Sequence, residues 1–323
     1  MFDDASGPTR LSGTATARLI QSTGNLYWSS NPPGDVGVPG QVSAIFRASK
    51  SSHPGEEIQL YAESNPSFQI EFGALTFAKV DNEFYGYFVA NYDSMSQIKR
   101  IPLAGGPACV VLAESPAIGA GDLVTDGSVL CWADHGGIRS MPIGGGLVTT
   151  LVAGTGFERL SVLGTTLYYV DGMTILGVPT SGGTPTKLVA EQLSPITALY
   201  ALAWQPPIAR AEQPENPWPI VQDVALVWGT ADGAVYGKFP FETTTLQAPA
   251  ADTTVVCVFS TRTRVLWSDQ YFGQEGPRYR VRMAYGGVTT TLSSEIAYLS
   301  NRDVLADEIA AYWTDSYVEK YTF

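Results

Sequence analysis

Few side chains in this sequence could do chemistry. There are two histidines, His53 and His135, and three cysteines, Cys109, Cys131 and Cys257. An imidazole exchanges protons near neutral pH, and Glu114 is the carboxylate with which His135 would make a general acid/base pair. A lone histidine at the head of a Gly-rich turn, as in His135-Gly136-Gly137, is more often simply solvated. Carboxylates recur at like places, in Ala62-Glu63-Ser64, Ala113-Glu114-Ser115, Ala190-Glu191-Gln192 and Ser294-Glu295. Brought to one rim, Glu63, Glu114, Glu191 and Glu295 would raise one another's pKa or recruit a hard cation such as Ca²⁺ or Mg²⁺. A solvated rim with no ligand is the competing reading, because repeats copy surface acids as readily as functional ones. The stretch Gln270 to Tyr279 sets Tyr271, Phe272 and Tyr279 beside Arg278 and Arg280, a composition suited to stacking on sugars or to protein hot spots, or to covering a strand edge.

Other chemistries lack their residues. Each cysteine sits in an apolar run, with no Cys-x-x-Cys spacing, so buried free thiols are expected. No Gly-x-Ser-x-Gly elbow supplies a hydrolase nucleophile. The glycines around Gly119 and Gly121 open no helix, so no phosphate loop follows.

The elements that must position these residues are legible from composition. In 323 residues there are 33 Gly and 21 Pro, with 45% hydrophobic and only 15% charged residues. Short apolar runs between turn residues describe many strands, and no window reads as a long amphipathic helix. The stretch Asp303 to Ala311 leads directly into an aromatic strand and is read as strand too. The net charge of −12 disfavours nucleic acid, which needs a basic face, and an anionic membrane surface. No stretch approaches the roughly 20 apolar residues of a membrane-spanning helix. Met1-Phe2-Asp3-Asp4 has neither the basic nor the apolar region of a signal peptide. The expectation is a soluble, acidic, monomeric and cytoplasmic chain, although a processed exported form would read the same.

Two neighbouring segments align without a gap. Gly127, Leu130, Trp132, Asp134, Ile138, Pro142, Gly145, Thr149 and Leu151 recur, 37 positions on, as Gly164, Leu167, Tyr169, Asp171, Ile175, Pro179, Gly182, Thr186 and Leu188. A period near 40 residues is that of a β-propeller blade. The aromatic anchor of this unit is followed along the chain through Trp28, Phe88, Trp132, Tyr169, Trp228, Trp267 and Trp313, which predicts seven four-stranded blades. The longer gaps hold Pro/Gly-rich insertions, Ser29 to Gln41 and Pro206 to Ile220, the second carrying Trp218. Val318 to Phe323 matches only the third strand of a blade. Gly7 to Leu11 resembles the fourth strand at Thr184 to Leu188. Residues 7–12 should therefore complete the last blade and remove its open edge, making residues 1–323 a single propeller domain. In such a ring, loops joining second to third strands, and fourth strands to the next blade, share one face. That face would carry the four glutamates, His135 and the Tyr271 region, with His53 opposite.

Tyr312-Trp313-Thr314-Asp315 is a literal YWTD tetrapeptide, with degenerate versions at Leu266-Trp267-Ser268-Asp269, Cys131-Trp132-Ala133-Asp134 and Tyr168-Tyr169-Val170-Asp171. The chain resembles YWTD (LDL-receptor class B-like) repeat propellers of the divergent bacterial type. The resemblance implies that Asp134, Asp171, Asp269 and Asp315 are structural, bonding to neighbouring backbone. Receptor-type members have six blades and adjoining EGF-like modules, and this sequence shows neither. The streptogramin-lyase type, a seven-bladed propeller, pairs a histidine with Mg²⁺ and glutamate, which is the pattern that singles out His135 with Glu114. The primary expectation is a non-catalytic binding or scaffolding propeller recognising a protein, peptide or glycan through its loop face. A divalent-cation-dependent lyase or hydrolase at the channel mouth is the alternative, and a lectin with repeated sites between blades comes third.

Overall fold

The structure, a computed structural model, describes residues 9–11, 18–31, 40–106, 109–115, 118–204, 223–239, 243–261, 263–273, 276–296, 303–307, 309–315 and 317–323. Among them every regular element is a strand. The first, β1 (Thr9–Arg10), stands alone in sequence. Blade 1 follows as β2 (Arg18–Gln21), β3 (Asn25–Ser30), β4 (Val42–Ser49) and β5 (Ile58–Ser64). Blade 2 is β6 (Glu71–Val80), β7 (Glu83–Asn91), β8 (Ser96–Pro102) and β9 (Val110–Ser115). Blade 3 is β10 (Ile118–Thr125), β11 (Val129–Asp134), β12 (Gly137–Pro142) and β13 (Thr149–Ala153). Blade 4 is β14 (Phe157–Leu163), β15 (Thr166–Asp171), β16 (Thr174–Pro179) and β17 (Thr186–Val189). Blade 5 is β18 (Ile196–Trp204), β19 (Asp223–Thr230), β20 (Val235–Lys238) and β21 (Thr243–Gln247). Blade 6 is β22 (Thr253–Ser260), β23 (Val265–Gly273), β24 (Gly276–Tyr285) and β25 (Val288–Ile296). The seventh sheet holds β26 (Val304–Ala306), β27 (Ala310–Asp315) and β28 (Tyr317–Thr322), and its fourth strand is β1.

All seven sheets are antiparallel and four-stranded, the architecture of a seven-bladed propeller. The insertions expected at Ser29 to Gln41 and Pro206 to Ile220, Trp218 included, fall largely or wholly outside the described residues. Each aromatic anchor lies on the second strand of its blade and is buried. Sandwiching explains why. A strand sends alternate side chains to opposite faces, and a blade between two others is apolar on both. In β15 four successive residues, Leu167 to Val170, are therefore buried. Blades also approach closely where a residue is small. A Cβ on Gly229 of β19 would lie 2.2 Å from Val255 of the next blade's inner strand.

Closure is by backbone pairing of the two chain ends. Thr9 pairs with Lys320 and Arg10 with Glu319, antiparallel, as expected for residues 7–12. The Leu11 amide donates to the Val318 carbonyl at 2.8 Å, and the Leu11 side chain is buried with Trp28, Tyr312 and Val318, so it packs across the seam. The stretch from Asp303 to Ala311 enters β26 and β27, strand as expected. Deleting residues 1–12 should lower the melting temperature and produce oligomers through the bared edge of β28. Calorimetry with size-exclusion chromatography checks this. A monomer with unchanged melting temperature would contradict closure by β1.

Candidate functional site

In this topology inner strands begin, and second strands end, on one face. The fourth strand of each blade ends there as well. Glu63 and Glu114 lie near the ends of β5 and β9, Glu191 just past β17, and Glu295 near the end of β25. His135 occupies the β11–β12 turn, Tyr271 and Phe272 end β23, and Tyr279 begins β24. These residues share the loop face, while His53, between β4 and β5, is on the other.

The glutamates meet different surroundings. Glu63 is half-buried and fully engaged. Lys99 of the neighbouring blade donates to its Oε2 at 2.5 Å, Tyr61 donates to the same oxygen at 2.8 Å, and Tyr92 to Oε1 at 2.8 Å. Burial alone would push this carboxyl up, but those three donors hold it below the usual range. Glu63 thus meets a cation rather than the repulsion of other acids. Glu114 is exposed and accepts a hydrogen bond from Gln97 at 2.5 Å. Glu191 is exposed, and Glu295 is placed by its backbone in β25. Among the described residues no three His, Cys, Asp or Glu side chains come together as metal ligands, so Glu63, Glu114 and Glu191 form no shared site.

His135 is exposed, and among the described residues no hydrogen bond joins it to Glu114. Its neighbour Asp134 is structural, accepting from the Gly136 amide at 2.7 Å and from Arg139 Nε at 2.9 Å. Asp269 takes the same place in blade 6 but differs in partner. It is completely buried and accepts from Arg280 Nε at 2.7 Å, with Arg282 Nε 3.4 Å away. Asp171 is exposed. The three cysteines are free, but of the three expected to be buried only Cys131 is fully so, while Cys109 and Cys257 are partly exposed at blade cores. Burial pushes the Cys131 and Cys257 thiols up to about 12, so neither is a thiolate at neutral pH.

Around Asp269 the aromatic–arginine stretch takes a definite form. The Arg280 guanidinium lies 4.3 Å from the centre of the Tyr271 ring. Arg282 reaches Gln247 of blade 5 at 2.5 Å. Tyr279 is half-buried against the core shared by blades 6 and 7. Phe272, by contrast, is 68% exposed. Strand pairing in blades 3 and 4 stops at Asp134↔Gly137 and Asp171↔Thr174. In blade 6 it continues past Asp269 through Tyr271↔Arg278 and Phe272↔Pro277 to Gly273↔Gly276. This hairpin therefore extends beyond its counterparts.

The channel mouth carries a second cluster that sequence reasoning did not single out. On the inner strands of blades 1, 3 and 7, the residue before the one that opposes the anchor is charged. Leu19 opposes Trp28, Leu123 opposes Trp132 and Val304 opposes Trp313, which puts Arg18, Asp122 and Asp303 at equivalent places. Register shifts lie at or just before this point in β6, β10, β14, β18 and β22, and such bulges re-aim a side chain. Arg18 Nη1 is 3.3 Å from Asp303, and Nη2 donates to the Gly121 carbonyl at 3.0 Å with Asp122 at 3.8 Å. The acids also grip the next blade. Asp303 accepts from the Leu19 amide at 2.8 Å and Asp122 from the Leu160 amide at 2.9 Å. A cavity of about 310 Å³ adjoins them, with Ser161 and Tyr200 in its wall. Burial pushes the Asp303 carboxyl above its ordinary value although Arg18 opposes this. The signal in sequence was faint. The repeat offset carries Asp122 onto Arg159, a charge reversal at one register position.

No protein-family model matches the chain, and no curated protein matches it. Solved structures do. One is YCF48 bound to D1 peptide, with a TM-score of 0.61 and 10% identity over 100% of this chain and 96% of that one. Another is the extracellular domain of the one-component system BT4673 from B. thetaiotaomicron, at 0.59 and 9%, covering 98% of this chain. The present chain spans only 40% of that chain. A third is Saccharomyces cerevisiae Sqt1, at 0.53 and 10% over 95% and 83% of the two chains. At such identity the likeness is one of fold.

Two substitutions should separate the ionic clusters by their pH dependence. Arg18→Met strands Asp122 and Asp303 in the channel and should cost about 3 kcal/mol at neutral pH. Asp303 already has a folded pKa above its unfolded one, so the deficit should shrink as acid protonates it. Glu63 has the opposite sign. Its lowered folded pKa stabilises the fold above the unfolded value of about 4.3, and that stability is lost as pH falls through the folded pKa. Glu63→Gln should therefore cost most near neutrality and flatten the acid limb of the stability curve. Urea unfolding across pH 3 to 7 reads both.

Proposed function

We propose that this chain is a non-catalytic binding propeller that recognises a protein or peptide through its loop face. The observation that carries this reading is the extended β23–β24 hairpin. It carries an exposed Phe272 on one face of the strand and, on the other, a stacked Tyr271–Arg280 pair whose guanidinium is anchored by the buried Asp269. An exposed phenylalanine costs solvation unless something covers it, and Tyr, Arg and Phe on a rigid base are what protein hot spots are made of. Arg280 is held from below and from the side, so little side-chain entropy is lost when a partner arrives. The similar propeller YCF48 is bound to a peptide, which supports a peptide-binding role for this architecture. The repeat is read as a divergent YWTD type, on the strength of Tyr312-Trp313-Thr314-Asp315 and its degenerate copies. As one undivided propeller over residues 1–323, it would present its partner with a single rigid face.

Selection of peptides from a display library on the immobilised protein tests the reading. Tyr271→Ala and Phe272→Ala should each weaken the selected peptides by about 2 kcal/mol, roughly 30-fold. Phe84→Ala, at a 50% exposed position on the opposite face, should leave them unchanged. Selected peptides indifferent to the hairpin and sensitive to Phe84 would overturn the reading. Binding of glycans alone through the same hairpin would keep the face and overturn the ligand class.

A further inference from the structure

A second feature of the loop face lies between blades 1 and 2, where a pocket of about 420 Å³ is lined by Glu63, Phe68, Tyr92, Asp93, Met95 and Lys99 among others. Its size falls within the range of small-ligand sites. Phe68 and Tyr92 form an edge-to-face pair with ring centres 6.1 Å apart. Met95 is exposed beside them in the β7–β8 turn.

The charges decide what such a pocket accepts. Lys99 is 4% exposed, and its ammonium is matched by Glu63 at 2.5 Å, with the Tyr61 and Tyr92 ring centres 5.7 and 5.2 Å away. That lysine is spent inside the protein and offers an anion little. Asp93 is exposed, and no described side chain forms an ion pair with it. Glu114 is exposed too, and its only bonded neighbour here is the neutral Gln97, which lines the pocket. With Glu63 and Lys99 cancelling, Asp93 leaves the pocket wall with an uncompensated negative charge, and Glu114 sets a second one behind Gln97. Aromatic faces, a thioether and open carboxylates are what a flat or extended cation requires. The apolar stem lies on the rings and the charged head reaches the acids.

We infer that this pocket receives an arginine or lysine side chain of the bound protein or peptide. The inference rests on the reading of the loop face as a recognition surface and names its ligand chemistry. An anionic side chain would meet Asp93 and Glu114 with no free cation to offset them. An uncharged one would leave those carboxylates partly desolvated and unpaired, which is costly.

The probes are acetylated, amidated tripeptides Gly-X-Gly, with X arginine, lysine, citrulline or glutamate, titrated calorimetrically into the full chain. Citrulline keeps the shape of arginine and removes its charge. The arginine and lysine peptides should bind at least tenfold more tightly than the citrulline and glutamate peptides. Asp93→Asn should weaken arginine binding several-fold, and Tyr92→Ala should abolish it while Tyr92→Phe, which keeps the ring, retains it. Asp93 is exposed, so its variant should melt with the wild type and any loss is a binding loss. Equal affinity for citrulline, tighter binding of glutamate, no measurable arginine binding, or indifference to Asp93→Asn would each overturn the inference. Failure here is distinct from failure of the loop-face reading. Selected peptides that need Phe272 and ignore Asp93 would sink the pocket alone, whereas arginine binding lost with Asp93, beside selected peptides that ignore Phe272, would sink the hairpin alone.

Discussion

Everything in this molecule depends on a ring closing upon itself at one seam. Six blades are continuous in sequence and hold their strands by short hairpins. The seventh is assembled from the two ends of the chain, and the seam has two grips at different radii. At the outside, Thr9 and Arg10 pair with β28 and Leu11 adds an amide bond and a buried side chain. At the axis, Asp303 of the last blade takes the Leu19 amide of the first and pairs with Arg18. Arg18 then continues to Gly121 and Asp122 of blade 3. The equivalent residue of blade 2 is Ala74, small enough for a guanidinium to reach past. A single cation thus ties three blades, one of them not a neighbour in the ring. Backbone pairing alone would fix the rim of the seam, and the ionic tie fixes its hub.

That division of labour explains why a repeat can be plain in one place and absent in another. The anchor position fills the wedge between blades, so it must be large and apolar in every unit. The place before the residue opposite it lies on the inner strands, where charged groups of different blades come within reach of one another and cannot all carry the same sign. Seven copies of Arg18 would repel, and seven copies of Asp122 would repel as well. Arg18, Asp122, Arg159 and Asp303 alternate in sign, and Ala74, Ala198 and Cys257 fill the remaining places with small groups. The hub is a mutual compromise among blades, and no one blade specifies it.

The same distinction sets what could be read from the sequence. The anchors, the blade number, the fourth strand supplied by residues near Thr9 and the face carrying Glu63, Glu114 and Tyr271 are all properties of one repeat compared with another. They are local, and a fixed offset exposes them. The partner of Glu63 is Lys99, on the neighbouring blade and 36 positions away, and the partner of Arg18 is Asp303, 285 positions away. Neither pairing belongs to a repeat unit, so neither leaves a periodic trace. Asp269 shows the limit from the other side. Its place in the Leu266-Trp267-Ser268-Asp269 segment suggested a bond to nearby backbone, yet its carboxylate serves Arg280 and Arg282, because β24 alone carries arginines at alternate positions on one side of its strand.

Net charge is accordingly a poor guide to which acids can meet a partner. The chain is strongly acidic, but Glu63, Asp134, Asp269 and Asp303 each lie against a cationic side chain, which Asp303 shares with Asp122. Their charge is matched a few ångströms away, and little of their field survives at long range. The field that reaches solvent comes from unmatched groups such as Asp93, Glu114 and Glu191. Near Asp269 two guanidiniums share one buried carboxylate. The loop face thus shows unmatched acids beside blades 1 and 2, and at blade 6 two arginines held by a buried carboxylate. Acids left unmatched at one place and matched at another can select the orientation of what docks there as well as its identity, because a partner turned end for end would bring its own acids against the unmatched ones.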